Sequence, residues 1–471
     1  IEGVQDDKYD NYAQYQRKIS DLKSYQVLAI NRGVNKKVLN KKFLLDDEKI
    51  LNHIKLFEIP SKTPYRKEFE DMVLDAYTRL IFPSVSNDLF SDLMEEASEK
   101  AIEEFKVSLK ATLLYPPLKN KRILGFDPGF FHGCKLACID ENGKVLDTKV
   151  LQNPFTNDFA KKRAIKEVHD LILKNSTYQI ALGNGTASRE SQKLLEEMKE
   201  TNPDLKDVTI AVVSESGASI WSATKEAQKE FPTFEPNLRS AVSIARRLQD
   251  PLAELVKIPP ESIGVGQYQY DIDGKKLSLA LGGVVEDCVN AIGVNLNTAS
   301  SSLLSYISGI SKKIAENIVS YREENGAFQT RQELLKVSGL GPKAFENAAG
   351  FLRILDGKEP LDATAVHPES YPIAKELLKE LKVSKEETKD KLKSLTSDDV
   401  EKLALSLKVG VPTLSDIIHE LIQPSRDPRD AIKTATLTEG VNDIKDLKVG
   451  QIMEGTIRNV TGFGFFVDIG V

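Results

Sequence analysis

The sequence predicts a multidomain protein, predominantly α-helical, with one mixed α/β domain and a tandem pair of helical hairpins. Three observations carry that expectation. Apolar residues recur at helical spacing over most of residues 1–119 and 356–445. Short apolar runs of strand character cluster within residues 120–257. The chain has 471 residues, enough for about three domains.

The elements follow in order. Residues 1–119 form a helical region, interrupted at 25–45 (YQVLAINRGVNKKVLNKKFLL), where the pattern predicts two strands around a Gly33 turn. Asn31-Arg32-Gly33 is either a loop contact or a plain turn. In 120–257, the run RILGF gives a strand ending at Asp127. KLACID and VLDTKV flank the turn Glu141-Asn142-Gly143, a hairpin signal. A helix over 160–174 precedes a strand at 180–182 and the loop Gly183-Asn184-Gly185-Thr186. A helix over 189–199 leads to the strand VTIAVV, which ends at Ser214-Glu215-Ser216. A helix over 237–257 has Pro251 near its middle. Three antiparallel strands followed by alternating helices and strands make a mixed sheet. Residues 258–300 are a connector and 301–355 the hairpin pair. Residues 356–445 are helical again, with a loop at His367-Pro368-Glu369-Ser370-Tyr371. Residues 446–471 alternate as two strands around Thr461-Gly462.

Composition bounds the function. Lys and Arg number 64 against 70 Asp and Glu, a net charge of −6. No global basic field advertises nucleic acid, so any such binding must come from local geometry. Cys134, Cys138 and Cys288 form no zinc spacing or disulfide framework; Cys134 and Cys138 lie in an apolar strand-like run and read as buried thiols, a usage that suits a reducing cytoplasm. No long uncharged apolar run predicts a membrane span. The start at Ile1 and the end at Val471, inside a strand-like pattern, predict a piece of a longer protein.

The hairpins carry the strongest functional signal. Residues 335–353 (LKVSGLGPKAFENAAGFLR) read as helix, Gly339-Leu340-Gly341 turn, and a second helix opened by Pro342. Glycines let backbone approach another molecule closely, and a turn leading into a helix N-terminus presents outward N–H groups to an anion. A nucleic-acid phosphate fits such a site without any base being read. Residues 304–321 (LSYISGISKKIAENIVSY) repeat the unit in degenerate form, with Gly309-Ile310-Ser311 as the turn. Together they resemble the paired helix-hairpin-helix module. The plainer alternative is an ordinary helical hairpin with a glycine C-cap. On the phosphate reading, Gly309, Ser311, Lys312, Lys313, Gly339, Gly341 and Lys343 grip the backbone.

A second constellation is acidic. Asp127 and Glu215 end strands, and Asp250 lies on the last helix with Glu254 one turn further along. Converged carboxylates repel unless a cation lies between them, and hard oxygen ligands suit Mg²⁺ or Mn²⁺. Asp127, Glu215 and Asp250 are therefore candidate metal ligands and candidate catalytic residues of a phosphate-cleaving site. Glu286-Asp287 is a rival pair, Asp127-Pro128-Gly129 is also an ordinary turn, and Asp250 and Glu254 could be solvated helix residues. The sheet pattern with these carboxylates resembles the YqgF/RuvC-type branch of the RNase H-like fold. At the C-terminus, Arg458 and Phe463-Gly464-Phe465-Phe466 resemble the opening strands of an S1-type RNA-binding domain. That domain is an OB fold, whose exposed aromatics, here Phe463 and Phe466, stack on bases. A hairpin burying its phenylalanines is the alternative.

The order of modules resembles the bacterial Tex family of transcription accessory proteins. The stretches that carry the likeness are LAINRG (28–33), ESGAS (215–219), SIARRLQDPLAEL (243–255), VVEDCVNAIGVNLNTAS (284–300), SGLGPKAFENAAGFL (338–352) and VHPESY (366–371). The resemblance covers essentially the whole chain. It implies a cytoplasmic scaffold that binds RNA, with single- or double-stranded DNA as further candidates, and that works with the transcription machinery. It implies no required cofactor; Mg²⁺ or Mn²⁺ enters only if the carboxylates work as a metal site. It leaves nuclease activity unestablished and implies no membrane partner.

Overall fold

The computed structural model of the protein describes residues 7–12, 14–381, 388–423, 427, 429, 449, 450, 452, 455–461 and 464–468. The chain gathers into two compact units. One comprises Ile1–Ser108, Val265–Ala280 and Ile457–Asp468; the other comprises Leu109–Gly264, Leu281–Thr456 and Ile469–Val471.

The first unit is built on α1 (Ser24–Asn35), α2 (Asp47–Glu58) and α3 (Arg66–Ala76), which continues through a π turn at Tyr77–Ile81 into α4 (Phe82–Leu113). The strand pair expected over 25–45 is therefore a helix over its first half. A short apolar run fits either period, and packing decided it: Val27, Leu28, Ala29 and Gly33 are buried on α1. Gly33 is no turn residue. A Cβ there would meet the Leu39 side chain at 2.5 Å. Arg32 is no free loop contact either: its Nε donates to Asp271 at 2.9 Å, and its guanidinium lies over the Tyr268 ring.

The second unit contains the mixed sheet, in strand order β3-β2-β1-β4-β5. β1 (Ile123–Asp127), β2 (Cys134–Ile139) and β3 (Val145–Leu151) form an antiparallel meander, while β4 (Gln179–Gly183) and β5 (Thr209–Val213) run parallel to β1. The period-two alternation of β1 serves two cores. Leu124 and Phe126 pack with Val168, Ile172, Leu194 and Met198 of α5 (Asp158–Asn175) and α6 (Ser188–Thr201). Ile123 packs on the other face with Ala241, Ile244 and Ala245. Cys134 and Cys138 are free and buried, as expected, and Cys288 is free and buried as well.

After β5 come α7 (Ala218–Ser222), α8 (Lys225–Glu230), α9 (Pro236–Gln249) and α10 (Pro251–Leu255). The single helix expected over 237–257 is thus broken at Asp250, which is extended (φ −151°, ψ 99°) and caps α10 by accepting from the Ala253 N–H at 3.3 Å. Pro251 dictates the break, because its ring excludes helical backbone at the residue before it. α9 crosses β1 so closely that a Cβ on Gly125 would lie 2.1 Å from the Ala241 carbonyl oxygen. Gly125→Ala should therefore cost about 2–3 kcal/mol through forced separation of helix and strand. Chemical denaturation checks this, and a loss below about 0.5 kcal/mol would contradict the close crossing.

Helix α11 (Gly274–Ile292) leads to β6 (Val294–Asn295), which pairs in parallel with β7 (Leu352–Arg353). Between them lie α12 (Ser301–Leu304), α13 (Lys312–Asn325) and α14 (Pro342–Ala349); α15 (Tyr371–Glu380), α16 (Thr388–Lys393), α17 (Ser397–Ser406) and α18 (Val411–Ile422) follow. Finally β8 (Thr456–Thr461) and β9 (Gly464–Asp468) pair as a two-stranded sheet. That matches the expected two strands but does not make an OB barrel. Phe463 and the side chains of Arg458 and Phe466 lie outside the described residues.

Candidate nucleic-acid interface and carboxylate edge

The two hairpin turns share one backbone form. Ile310 N–H donates to the Ile307 carbonyl at 3.0 Å, and Leu340 N–H to the Val337 carbonyl at 3.1 Å. The third residue of each turn is a glycine at positive φ, +83° for Gly309 and +84° for Gly339. A type II turn requires that conformation there. The first hairpin, degenerate in sequence, is therefore equivalent in geometry. Ile307, Ile310, Val337 and Leu340 are buried and pin the turns from below. Ser308, Gly309, Ser311, Lys312 and Lys313 are exposed, as are Ser338, Gly339, Gly341 and Lys343.

Each turn leans on the other hairpin. A Cβ on Gly309 would lie 2.9 Å from the Asn347 Cβ of α14, while Asn317 of α13 donates to the Ser338 carbonyl at 2.7 Å. The two turns are consequently held side by side. Ser311 caps α13 by accepting from the Ile314 N–H at 3.3 Å. Gly341 precedes α14 in extended backbone and has nothing within 4 Å of a would-be Cβ. The N–H groups of Lys312, Lys313 and Lys343, in the first helical turns, have no acceptor among the described residues. Such unsatisfied donors at a helix start suit an anion.

Sequence reading missed a third helix-turn-helix junction, closed differently: the Val409 N–H donates to the Ala404 carbonyl at 3.0 Å, five residues back rather than three. Between α17 and α18, Lys408 takes positive φ (+54°), Val409 follows, and Gly410 stands extended before the helix. These residues correspond in order to Gly339, Leu340 and Gly341. The available signal was a glycine just ahead of Val411-Pro412; lysine in the usual glycine position concealed it.

The carboxylates divide. Asp127 and Glu215 meet at the C-terminal edge of the parallel strands. A Cβ on Gly183 would lie 2.9 Å from Glu215 Oε2 and 3.0 Å from the Pro128 ring. At Gly185 it would lie 1.6 Å from Glu215 Oε1, so both glycines exist to admit the carboxylate. Glu215 is further set by its own N–H donating to Asn184 Oδ1 at 3.1 Å. Buried Arg247 donates to the carbonyls of Ser214 and Ser216 at 2.7 and 2.8 Å, fixing the bend that carries Glu215. Burial, and secondarily the Glu215 charge, push the Asp127 carboxyl up to about 7, against a smaller opposing effect of Lys135. Burial also raises Glu215, opposed by the Gly185 N–H and Arg247.

Asp250 does not join them. The Leu118 N–H donates to the Leu248 carbonyl, and Gln249 donates to the carbonyls of Lys121 and Asp140. The end of α9 therefore sits at the start of β1, whereas Asp127 ends that strand. Asp250 there accepts from Arg429 at 2.7 Å, and Arg429 also binds Asp427 at 2.9 Å. Glu254 is not a solvated helix residue: it is buried and paired with Lys257 at 2.6 Å. Glu286 and Asp287, the rival pair, are exposed on α11. The expected three-carboxylate site is thus corrected. Among the described residues no group of three or more His, Cys, Asp or Glu side chains is placed to hold a metal ion. Asp127 and Glu215 alone do not make the two-ion arrangement expected of a phosphate-cleaving site.

Comparison with known proteins places these features. A family model described as a Tex protein YqgF-like domain matches residues 121–249. A helix-hairpin-helix motif matches 289–353, and an HHH domain matches 359–429, which includes the Lys408 turn. The chain is 44% identical over 482 residues to the transcriptional accessory protein Tex of Neisseria gonorrhoeae, covering 100% of this chain and 62% of that protein. It is 43% identical over 491 residues to protein tex of Bordetella pertussis, covering 100% and 61%. It is 36% identical over 530 residues to S1 RNA-binding domain-containing protein 1 of Homo sapiens, covering 99% and 53%. The chain therefore spans less than two thirds of these relatives. No helix among the described residues is long and apolar enough to cross a membrane.

Proposed function

Because the chain belongs to the Tex family, we propose that it is a nucleic-acid-binding scaffold of the cytoplasmic transcription machinery, gripping phosphates of RNA through its hairpin turns. The observation that carries this reading is the pair of exposed, equivalent turns, each with a glycine at positive φ leading into a helix whose first N–H groups are unpaired. Lys312 and Lys343 stand at those helix starts without an ion-pair partner among the described residues, while exposed Lys313 faces Glu316 at a loose 3.7 Å. Surface pairs this open are worth little and yield to a phosphate. Two turns on one rigid frame bind one strand more tightly than either alone. The acidic net charge of −6 makes this a local rather than a global attraction. Single- and double-stranded DNA offer the same phosphates. A C-terminal S1-type domain using Arg458, Phe463 and Phe466 would add base stacking.

In this reading the RNase H-like domain is a scaffold without a required metal. Asp250 is held by Arg429 at the far end of β1, so the third ligand of a Mg²⁺ or Mn²⁺ site is missing from the Asp127–Glu215 edge.

Gly341→Glu tests the hairpin grip cleanly, since the position has ordinary φ (−86°) and open space around it. It should lower RNA affinity at least about tenfold and reduce the salt dependence by roughly one phosphate's share, with an unchanged melting temperature. Equal affinity and salt slope for the variant and the parent chain would overturn the assignment.

A further inference from the structure

The α/β domain has a second surface whose chemistry the hairpins do not explain. The turn from β1 to β2 carries Phe130 and Phe131, and Phe131 leaves 92% of its surface exposed. The turn is tightly determined: Gly133 stands at φ +68°, where a Cβ would lie 2.0 Å from the Leu151 carbonyl oxygen. Phe130, 40% exposed, packs edge-on against Phe155 with ring centroids 5.8 Å apart. That packing joins the turn to the segment entering α5. Phe159, in the first turn of α5, is 77% exposed. Lys162 and Lys166 follow it at i+3 and i+7, so all three share one face of the helix. Both lysines are exposed. Their neighbours Lys161 and Arg163 pair with Glu197 and Glu167, whereas Lys162 and Lys166 have no ion-pair partner among the described residues. Asp158 is the acidic residue of the same first turn.

Large apolar rings left this open mark a contact surface. The lysines decide what kind. Lysine is depleted at the apolar centre of protein interfaces because burying its ammonium is costly. A single nucleic-acid strand needs both features: rings for the faces of unpaired bases, and cations beside them for phosphates. The rise from Lys162 to Lys166 is about 6 Å along the helix, of the order of one nucleotide step. A duplex has its base faces stacked away and could use only the lysines.

We propose that Phe131 and Phe159 stack unpaired bases of a single strand whose phosphates run along Lys162 and Lys166. The proposal rests on the nucleic-acid reading above for the class of polymer, but on none of the hairpin residues. It gives the chain a preference for unpaired over duplex nucleic acid that phosphate-gripping turns alone do not supply.

The test uses the full chain, a single-stranded RNA containing a fluorescent base analogue, and a blunt duplex of the same sequence. Phe131→Leu/Phe159→Leu keeps apolar side chains and removes the rings. It should weaken single-strand binding at least about tenfold and abolish quenching of the fluorescent base, with duplex affinity and melting temperature unchanged. Lys162→Gln/Lys166→Gln should lower the single-strand salt slope by about 1.4, roughly 0.7 for each phosphate no longer neutralised. If the leucine variant binds both nucleic acids as the parent chain does, while Gly341→Glu is impaired, the platform is wrong and the hairpin reading stands. If the leucine variant is impaired and Gly341→Glu is not, the platform stands and the hairpin reading falls. Equal weakening on strand and duplex, or a changed oligomeric state with no change in RNA binding, would overturn the platform in favour of a general fold effect or a protein contact.

Discussion

Arg331→Met should destabilise the second unit by about 3–5 kcal/mol, although methionine fills much the same space. Arg331 is only 1% exposed, yet each of its three guanidinium nitrogens donates a hydrogen bond. Nε donates to the Leu352 carbonyl at 2.7 Å, and Nη1 donates to the Val366 carbonyl at 2.8 Å and the Tyr371 hydroxyl at 2.7 Å. Nη2 donates to the Thr364 carbonyl. Asp362 completes the network, accepting from the Arg331 N–H and from the Tyr371 hydroxyl. Methionine would strand three carbonyls in a dry interior, each costing about 1–3 kcal/mol. The network fastens the end of the hairpin pair to the segment carrying VHPESY. His367 adds a tie there: its Nδ1 accepts from the Glu369 N–H, so Nε2 bears the proton and donates to the Glu346 carbonyl at 2.9 Å. Denaturation followed by probes in each unit separately is the proper measurement, because two units need not unfold together. A change under about 1 kcal/mol in the transition of the second unit would refute the network's importance.

Asp127→Asn should stabilise the protein by about 2–4 kcal/mol at pH 8 and leave it nearly unchanged at pH 4. The sign follows from a folded-state pKa of about 7 against 3.8 for a free side chain. Well below pH 3.8 both states hold the proton and the group contributes no pH dependence. As pH rises toward 7 the unfolded chain releases its proton while the folded chain retains it, so stability falls, and above 7 the deficit is constant. Asparagine removes that charge from beside Glu215 and from its buried setting. Denaturation midpoints across this range give the result, and a constant difference between about pH 4 and pH 8 would contradict it. The neutral side chain is a fair mimic because the carboxyl is itself protonated over most of the range.

Much of this was legible in the sequence, for physical reasons that differ by element. The sheet strands were readable as short runs rich in apolar and β-branched residues bounded by turn residues: RILGF, because β1 is buried on both faces, and VTIAVV by its composition, although β5 is an edge strand that leaves Thr209 and Val212 exposed. The hairpin turns were readable because positive φ at Gly339 is nearly reserved for glycine, leaving a visible mark. The same logic failed at Lys408, where a lysine adopts that conformation and erases the mark. It failed at 25–45 because a short apolar run has no preferred period until a core receives it. Pro251 was visible, but its consequence, an extended Asp250 turned into a cap, was overlooked, and the expected placing of Glu254 one turn further along the same helix depended on that helix continuing.

The family, the mixed sheet, the hairpins and the burial of Cys134 and Cys138 could all be read from the residues in order, because they follow from local patterns and long matching runs. Which carboxylates meet, which arginines are buried and which aromatic rings face water emerged only from the folded chain. Side chains far apart in sequence come together through the crossing of α9 over β1 and the packing of loops at strand ends. Asp127 and Glu215 share an edge because parallel strands bring their ends together. Asp250 lies at the other end because a helix antiparallel to β1 carries its last residue away.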